Sequence, residues 1–267
     1  MMSVIRSGLE AALLNLDVTS NNIANARTTG YKQRQASFVD MYSKSITTAT
    51  GDPLGIGVQL PEIRANQAQG NLQKTDAVMD LAIEGEGLFA LRDVANPNVN
   101  IYTRDGSFTL NKEGNVVSRD GYNLMASNNE PINIPLKANG IRTADGFRAF
   151  GETRSLTSIT ITENGNIQAT YGGNNVVSTG KVGLASFSDA NRLTPVGANL
   201  FRHSKESGLG VLGAPAATGR GKIHSGALEM ANTSITEELS NMIRAQQAFS
   251  GSSRLLQSEA EMVKMLF

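Results

Sequence analysis

The residues best suited to moving protons near neutral pH are two histidines, His203 and His224, and neither stands at ligand spacing from a second donor. Asp76 and Asp80 lie four apart and could be imagined as paired carboxylates for acid–base work. Met79 and Leu81 flank Asp80 and open a strand, so both acids read as turn and strand-edge residues. Gly51, Gly55 and Gly57 lack the preceding strand and the following Lys-Ser or Lys-Thr of a phosphate loop, and Gly208, Gly210 and Gly213 open no helix. The chain has no cysteine, which removes disulfides, thiolate metal sites and thiol nucleophiles. These residues predict no enzyme, no metal and no cofactor. Asn21, Asn22 and Asn25 offer a different chemistry: amides that satisfy backbone or neighbouring polar groups where a helix meets the next element.

The elements around those amides are set by periodicity. Ile5, Leu9, Ala12, Leu16, Thr19, Ile23 and Ala26 recur at alternating four- and three-residue steps, and Ser3 is placed to cap a helix over 4–26. Thr29-Gly30 ends it. At the other extreme Ile235, Leu239, Met242, Gln246, Phe249, Ser253, Leu256, Ala260, Val263 and Phe267 repeat the pattern, with Ser234 and Glu237 as a capping box. The small and polar members of both stripes suit close approach among several helices. Between the ends, short apolar runs alternate with Gly, Asn and Pro turns, as strands and hairpins do. Phe108–Val117 and Ile159–Gln168 echo one another, with Gly114 and Gly165 in the same place. The fold class expected is a mainly β body with long N- and C-terminal α-helices that pair in a coiled-coil-like layer. Its expected divisions are an N-terminal helix and the start of an assembly segment over 1–42, a loop or extension 43–61, a β-rich body 62–225 and a C-terminal helical assembly segment 226–267.

Bulk composition narrows the function classes. The 267 residues carry 24 basic and 24 acidic side chains, so no basic field invites nucleic acid. No apolar run approaches the roughly 18 residues needed to span a bilayer. Glu10, Asn15 and Asp17 interrupt any signal-peptide core, so export, if any, is expected without a cleaved signal. A carbohydrate-binding or adhesive β module would display aromatic platforms, whereas Tyr102, Phe108, Tyr122 and Phe147 are scattered and read as core.

Several word-like segments punctuate the chain. They are Asn21-Asn22-Ile23-Ala24-Asn25 with Thr28-Thr29-Gly30-Tyr31-Lys32, then Gly70-Asn71-Leu72, and Asp80-Leu81-Ala82-Ile83-Glu84-Gly85-Glu86-Gly87. Tyr102-Thr103-Arg104-Asp105-Gly106-Ser107-Phe108 and Gly226-Ala227-Leu228-Glu229-Met230-Ala231-Asn232 complete the series, which in its words and their order resembles the bacterial flagellar rod and hook (axial) family. The resemblance implies a torque-transmitting subunit that self-associates into a helical tube and meets neighbouring rod and hook proteins and surrounding ring proteins. It implies export by the flagellar apparatus, location in the periplasm-spanning basal-body rod, and no membrane insertion. Length and a simple body resemble the distal-rod member, with hook and proximal rod as alternatives. The residues then expected to form the assembly seam are Ile5, Leu9, Ala12, Leu16, Ile23, Leu239, Met242, Gln246, Phe249, Leu256 and Val263. The helix-to-body junction is expected at Asn21, Asn22, Asn25 and Gly30. Phe249→Asp is the substitution expected to place a charge in that seam.

Overall fold

The computed structural model describes residues 2–47, 53–93, 99–143, 146–172, 175–217 and 219–266. The chain forms two compact units. A terminal unit comprises Met1–Ala26, Gln33–Asn66 and Thr233–Phe267, and a body comprises Arg27–Lys32 and Gln67–Asn232.

In the terminal unit, α1 spans Met2–Ala24 and α2 spans Ile235–Leu266. The first helix begins ahead of Ser3, so that serine lies inside the first turn and not at the cap. The two helices pack together antiparallel: Gly8 faces the Ser252 hydroxyl and Asn22 bonds Glu238, so fourteen-residue advances on the two helices run in opposite directions. Strands β1 (Arg34–Thr47) and β2 (Pro53–Ala65) form one long antiparallel hairpin, with Arg34 opposite Ala65 and Thr47 opposite Pro53. Much of 43–61, read from sequence as loop or extension, therefore belongs to paired strands. Gly55 and Gly57 sit inside β2, and for Gly57 there is a packing reason. Gly57 has φ 118°, and a Cβ there would lie 2.3 Å from the Ser7 hydroxyl oxygen, which accepts the Val58 amide at 3.3 Å. Glycine lets the strand backbone approach α1 that closely.

The body is built of short antiparallel strands, as the turn-rich sequence predicts. In chain order these are β3 (Leu72–Lys74), β4 (Leu81–Glu84), β5 (Leu88–Arg92), β6 (Asn100–Thr103), β7 (Phe108–Leu110), β8 (Val116–Ser118) and β9 (Asn123–Leu124). There follow β10 (Lys137–Thr143), β11 (Gly146–Ile161), β12 (Asn166–Tyr171), β13 (Asn175–Lys181) and β14 (Leu184–Ser186). The last are β15 (Thr194–Gly197), β16 (Leu200–Arg202), β17 (Val211–Gly213), β18 (Lys222–Ser225) and β19 (Ala227–Glu229). The main sheet runs β15-β16-β6-β5-β9-β8-β7, with β14 joining β5 to β17; a second runs β10-β11-β12-β13, and β18 and β19 pair with β4 and β3.

Leu81, Ile83, Phe89, Leu91, Leu124, Ile134, Ile167, Tyr171 and Leu184 lie in one apolar core, where Phe89 meets Phe108 edge to face at 5.1 Å. Tyr102 and Phe108 are buried and Tyr122 packs against the core, while Phe147 lies outside the residues whose side chains are described. The two echoing segments close the same turn. The Asn111 amide donates to the Asn115 carbonyl and Gly114 to Asn111, just as Thr162 donates to Asn166 and Gly165 to Thr162. Gly114 and Gly165 have φ of 84° and 75°, a conformation that only glycine adopts without strain.

Gly106 marks the tightest approach among the described glycines of the body. Its carbonyl accepts the Leu81 amide at 2.9 Å, and a Cβ would lie 1.6 Å from the Leu81 oxygen. Gly106→Ala is therefore expected to destabilise the body by about 3 kcal/mol, because backbone and not a flexible side chain must yield. A lower urea midpoint in tyrosine fluorescence checks it.

Candidate assembly interface

The buried residues of α1 and α2 are mostly small or polar. Ala12, Val18, Thr19 and Asn22 are buried on α1, and Glu238 and Ala245 on α2. Of the expected seam residues, Ala12 is buried, while Ile5, Leu9, Leu16, Ile23, Met242, Phe249 and Leu256 are half-buried. Leu239, Gln246 and Val263 are exposed. The heptad stripe on α2 is thus offset from the face turned to α1. Ile235, Leu239 and Ile243, which follow one another at four-residue steps, remain 44%, 46% and 55% exposed.

Asn22 anchors this unit. Its Nδ2 donates to the Arg34 carbonyl at 2.9 Å and to Glu238 Oε1 at 3.2 Å, while its Oδ1 accepts the Arg34 amide at 2.9 Å. Gln33 Nε2 donates to the same Glu238 oxygen at 2.6 Å. One amide therefore joins α1, the start of β1 and the first turn of α2. Glu238, next to the Glu237 expected in a capping box, is the acid that is buried here. A carboxylate in the first turn is also favoured by the positive end of the helix dipole. Asn25 does a more local task, donating Nδ2 to the Asn21 carbonyl at 2.9 Å and to Asn21 Oδ1 at 3.0 Å, which closes the last turn of α1. Asn22→Ala is expected to cost the terminal unit about 1–3 kcal/mol through the buried groups left unpaired. Ellipticity at 222 nm, which reports α1 and α2, should show an earlier urea transition while tyrosine fluorescence barely moves.

Within the body, a buried charge cluster was not foreseen from sequence. Glu229 Oε1 accepts Lys32 Nζ at 2.7 Å and the Gly70 amide at 2.8 Å, and its Oε2 accepts Arg104 Nε at 2.5 Å. The three side chains are between 1% and 4% exposed. Two cations surround one anion, and the surplus positive charge is absorbed by carbonyl oxygens. Arg104 donates to those of Gly85 at 2.6 Å, Ile83 at 3.1 Å and Gly87, and Lys32 to that of Ala68 at 2.8 Å. Burial by itself pushes the Glu229 carboxyl up, but Arg104 and Lys32, with the Gly70 amide, outweigh it and hold the pKa below its ordinary value. Burial pushes Lys32 down, and Arg104 adds to that against the pull of Glu229, so its pKa lies below the usual lysine range. Gly30, at φ 65°, belongs to the same place: its amide donates to the Glu229 carbonyl at 2.8 Å, and a Cβ would meet the Asp105 nitrogen at 2.4 Å.

The residues that first suggested catalysis lie elsewhere. His224 Nε2 faces Glu84 Oε2 at 2.6 Å across the β4–β18 pair. His203 is exposed after β16. Asp80 bridges to Ser107, and its carbonyl accepts the Gly226 amide at 2.8 Å. Among the described residues no group of three His, Cys, Asp or Glu could hold a metal ion. No helix among them is long and apolar enough to cross a membrane.

Three family profiles match the chain: flagella basal body rod protein over residues 2–32, flagellar hook protein FlgE/F/G D1 domain over 82–169, and flagellar basal body rod FlgEFG protein C-terminal over 224–266. The flagellar basal-body rod protein FlgG of Buchnera aphidicola subsp. Acyrthosiphon pisum is 32% identical across 98% of this chain and 96% of its own length. The chain belongs to the flagellar rod and hook protein family. FlgG of Agrobacterium fabrum is 31% identical over 99% of this chain and 97% of its own length. The flagellar hook protein FlgE of Helicobacter mustelae reaches 41% identity, over 43% of this chain and 28% of its own length. The charge cluster draws one residue from each of the three matched regions of this rod and hook family chain. Lys32 ends the first, Arg104 lies in the second and Glu229 in the third. The words that hold these residues stand out in the sequence, but the individual acids and bases do not. Two words with a lone cation and one with a lone acid were the available signal.

Proposed function

We propose that the chain is a structural subunit of the flagellar basal-body rod that assembles with further copies into a helical tube and transmits torque to the hook. The observation that carries this is the terminal unit's face. The buried residues of its two helices are mostly small or polar, and Ile235, Leu239 and Ile243 stay exposed on α2 where a neighbouring copy can bury them. The hairpin adds Val39, Met41 and Ile63, also exposed. An open groove between the helices and the hairpin, lined by Ala11, Ala12, Asn15, Val58, Asn241 and Ala248, offers room for a neighbour's side chains. Rod over hook is favoured by the near full-length match to FlgG proteins against 28% of the hook protein's length. The distal part of the rod is the placement we favour within it. Further partners in this reading are adjoining rod and hook proteins, surrounding ring proteins and the flagellar export apparatus. The division into helical ends, a hairpin extension and a β body suits a tube whose terminal segments pack together.

Deleting the gene tests this reading. The expected result is loss of motility, with isolated basal bodies that lack the rod section and hook, restored by the intact gene. Motile cells with complete basal bodies would contradict it.

A further inference from the structure

The body is cut from the terminal unit at four places along the chain, so it has four ends: Arg27, Lys32, Gln67 and Asn232. The groups around Glu229 sit at or within a few residues of these ends. Gly30 and Lys32 belong to the first short segment, Ala68 and Gly70 follow Gln67, and Glu229 precedes Asn232. Asn232 Nδ2 returns to the Ala68 carbonyl at 2.9 Å, the same oxygen that Lys32 engages at 2.8 Å. Arg104 ties the group to the body's core strands through the carbonyls of Ile83, Gly85 and Gly87.

We infer that Glu229, with Lys32 and Arg104, is a positioning device that holds all four ends of the body as one unit. Two of the ends, Gln67 and Asn232, are otherwise tied by short pairings. β3 meets β19 over Leu72–Lys74, and the Met230 amide reaches only the Asn71 carbonyl, at 2.9 Å. A three-residue strand pair is too short to hold its register alone. The carboxylate supplies what the strands lack, because it accepts from a side chain of the first segment, a backbone amide of the second and a side chain of the core at once. Each end continues covalently into the terminal unit. A pull on any one of them therefore arrives at the same buried carboxylate, and the ends move together or stay together. A cluster of this kind costs desolvation, so its use lies in fixing geometry more than in adding stability.

Hydrogen exchange on the full, unassembled chain tests this without reference to assembly. With Lys32→Met, exchange is expected to quicken at least tenfold at the amides of Gly30, Gly70 and Met230 together, although Met230 is far from position 32 in sequence. Amides of β12, between Asn166 and Tyr171, should quicken less than these three. Glu229→Gln should do the same, and Lys32→Met combined with Glu229→Gln should exchange no faster than Glu229→Gln alone, as members of one unit do. Acceleration confined to Gly30, equal acceleration throughout the body, or multiplied effects in the double variant would overturn the inference.

Discussion

Glu229→Ala is expected to lower the stability of the body by about 3–5 kcal/mol, the range for removing one partner of a buried ionic group and leaving the other charges unpaired. Here two cations are left, Lys32 and Arg104, both almost fully buried. Neither can reach water without disturbing the carbonyls it also bonds, those of Ala68, Ile83, Gly85 and Gly87. Tyr31, Tyr102, Tyr122 and Tyr171 lie in the body and Tyr42 in the terminal unit, so tyrosine fluorescence in a urea titration reports mainly on the affected part. The pH dependence has a definite sign. The folded pKa of Glu229 lies below its ordinary 4.5, so its stabilisation is complete above that value and is lost as pH falls through the folded pKa. Wild-type body should therefore lose stability in acid more steeply than Glu229→Gln, which has no such group. Lys32 acts in the other window: with its pKa below 10.5, its contribution rises with pH between the folded value and 10.5.

The second large effect falls on assembly and spares the monomer. Leu239 is 46% exposed on α2, so Leu239→Asp should change monomer stability by no more than about 0.5 kcal/mol. In the proposed tube the same aspartate would be buried beside a neighbour's apolar side chains, and an unpaired buried charge costs several kcal/mol at every subunit contact. The expected outcome is a chain with normal ellipticity at 222 nm that yields no rods by electron microscopy and does not restore motility. Phe249→Asp is a blunter probe of the same idea. Phe249 is half-buried in the terminal unit, so a charge there disturbs the subunit itself as well as its contacts.

What the sequence revealed and what it hid follow from range. Periodicity exposed α1 and α2 because a helix repeats its burial every few residues, and glycine turns exposed the echoing hairpins because φ near 80° needs glycine locally. The β1–β2 hairpin was obscured because Gly55 and Gly57 normally signal a break, whereas Gly57 is required by contact with Ser7, fifty residues earlier. The buried face of α2 was legible only in part. Its heptad stripe runs through Leu239 and Gln246, while the side turned to α1 carries Glu238 and Ala245, and a stripe does not say which of two partners it serves. Asn22 stands out from its type and place as a polar residue near a helix end. Its partner Glu238 does not, because a burying contact 216 residues away leaves no local trace. Lys32, Arg104 and Glu229 were hidden for the same reason.

The central claim, that copies pack through the exposed apolar face of α2, is tested most directly by thiol protection. The chain has no cysteine, so Leu239→Cys introduces a unique probe, and Ala245→Cys on the α1-facing side of the same helix is its control. Maleimide should label L239C rapidly in the free subunit and at least tenfold more slowly in isolated basal bodies, with A245C slow in both. Equal labelling of L239C in free and assembled protein would contradict the account.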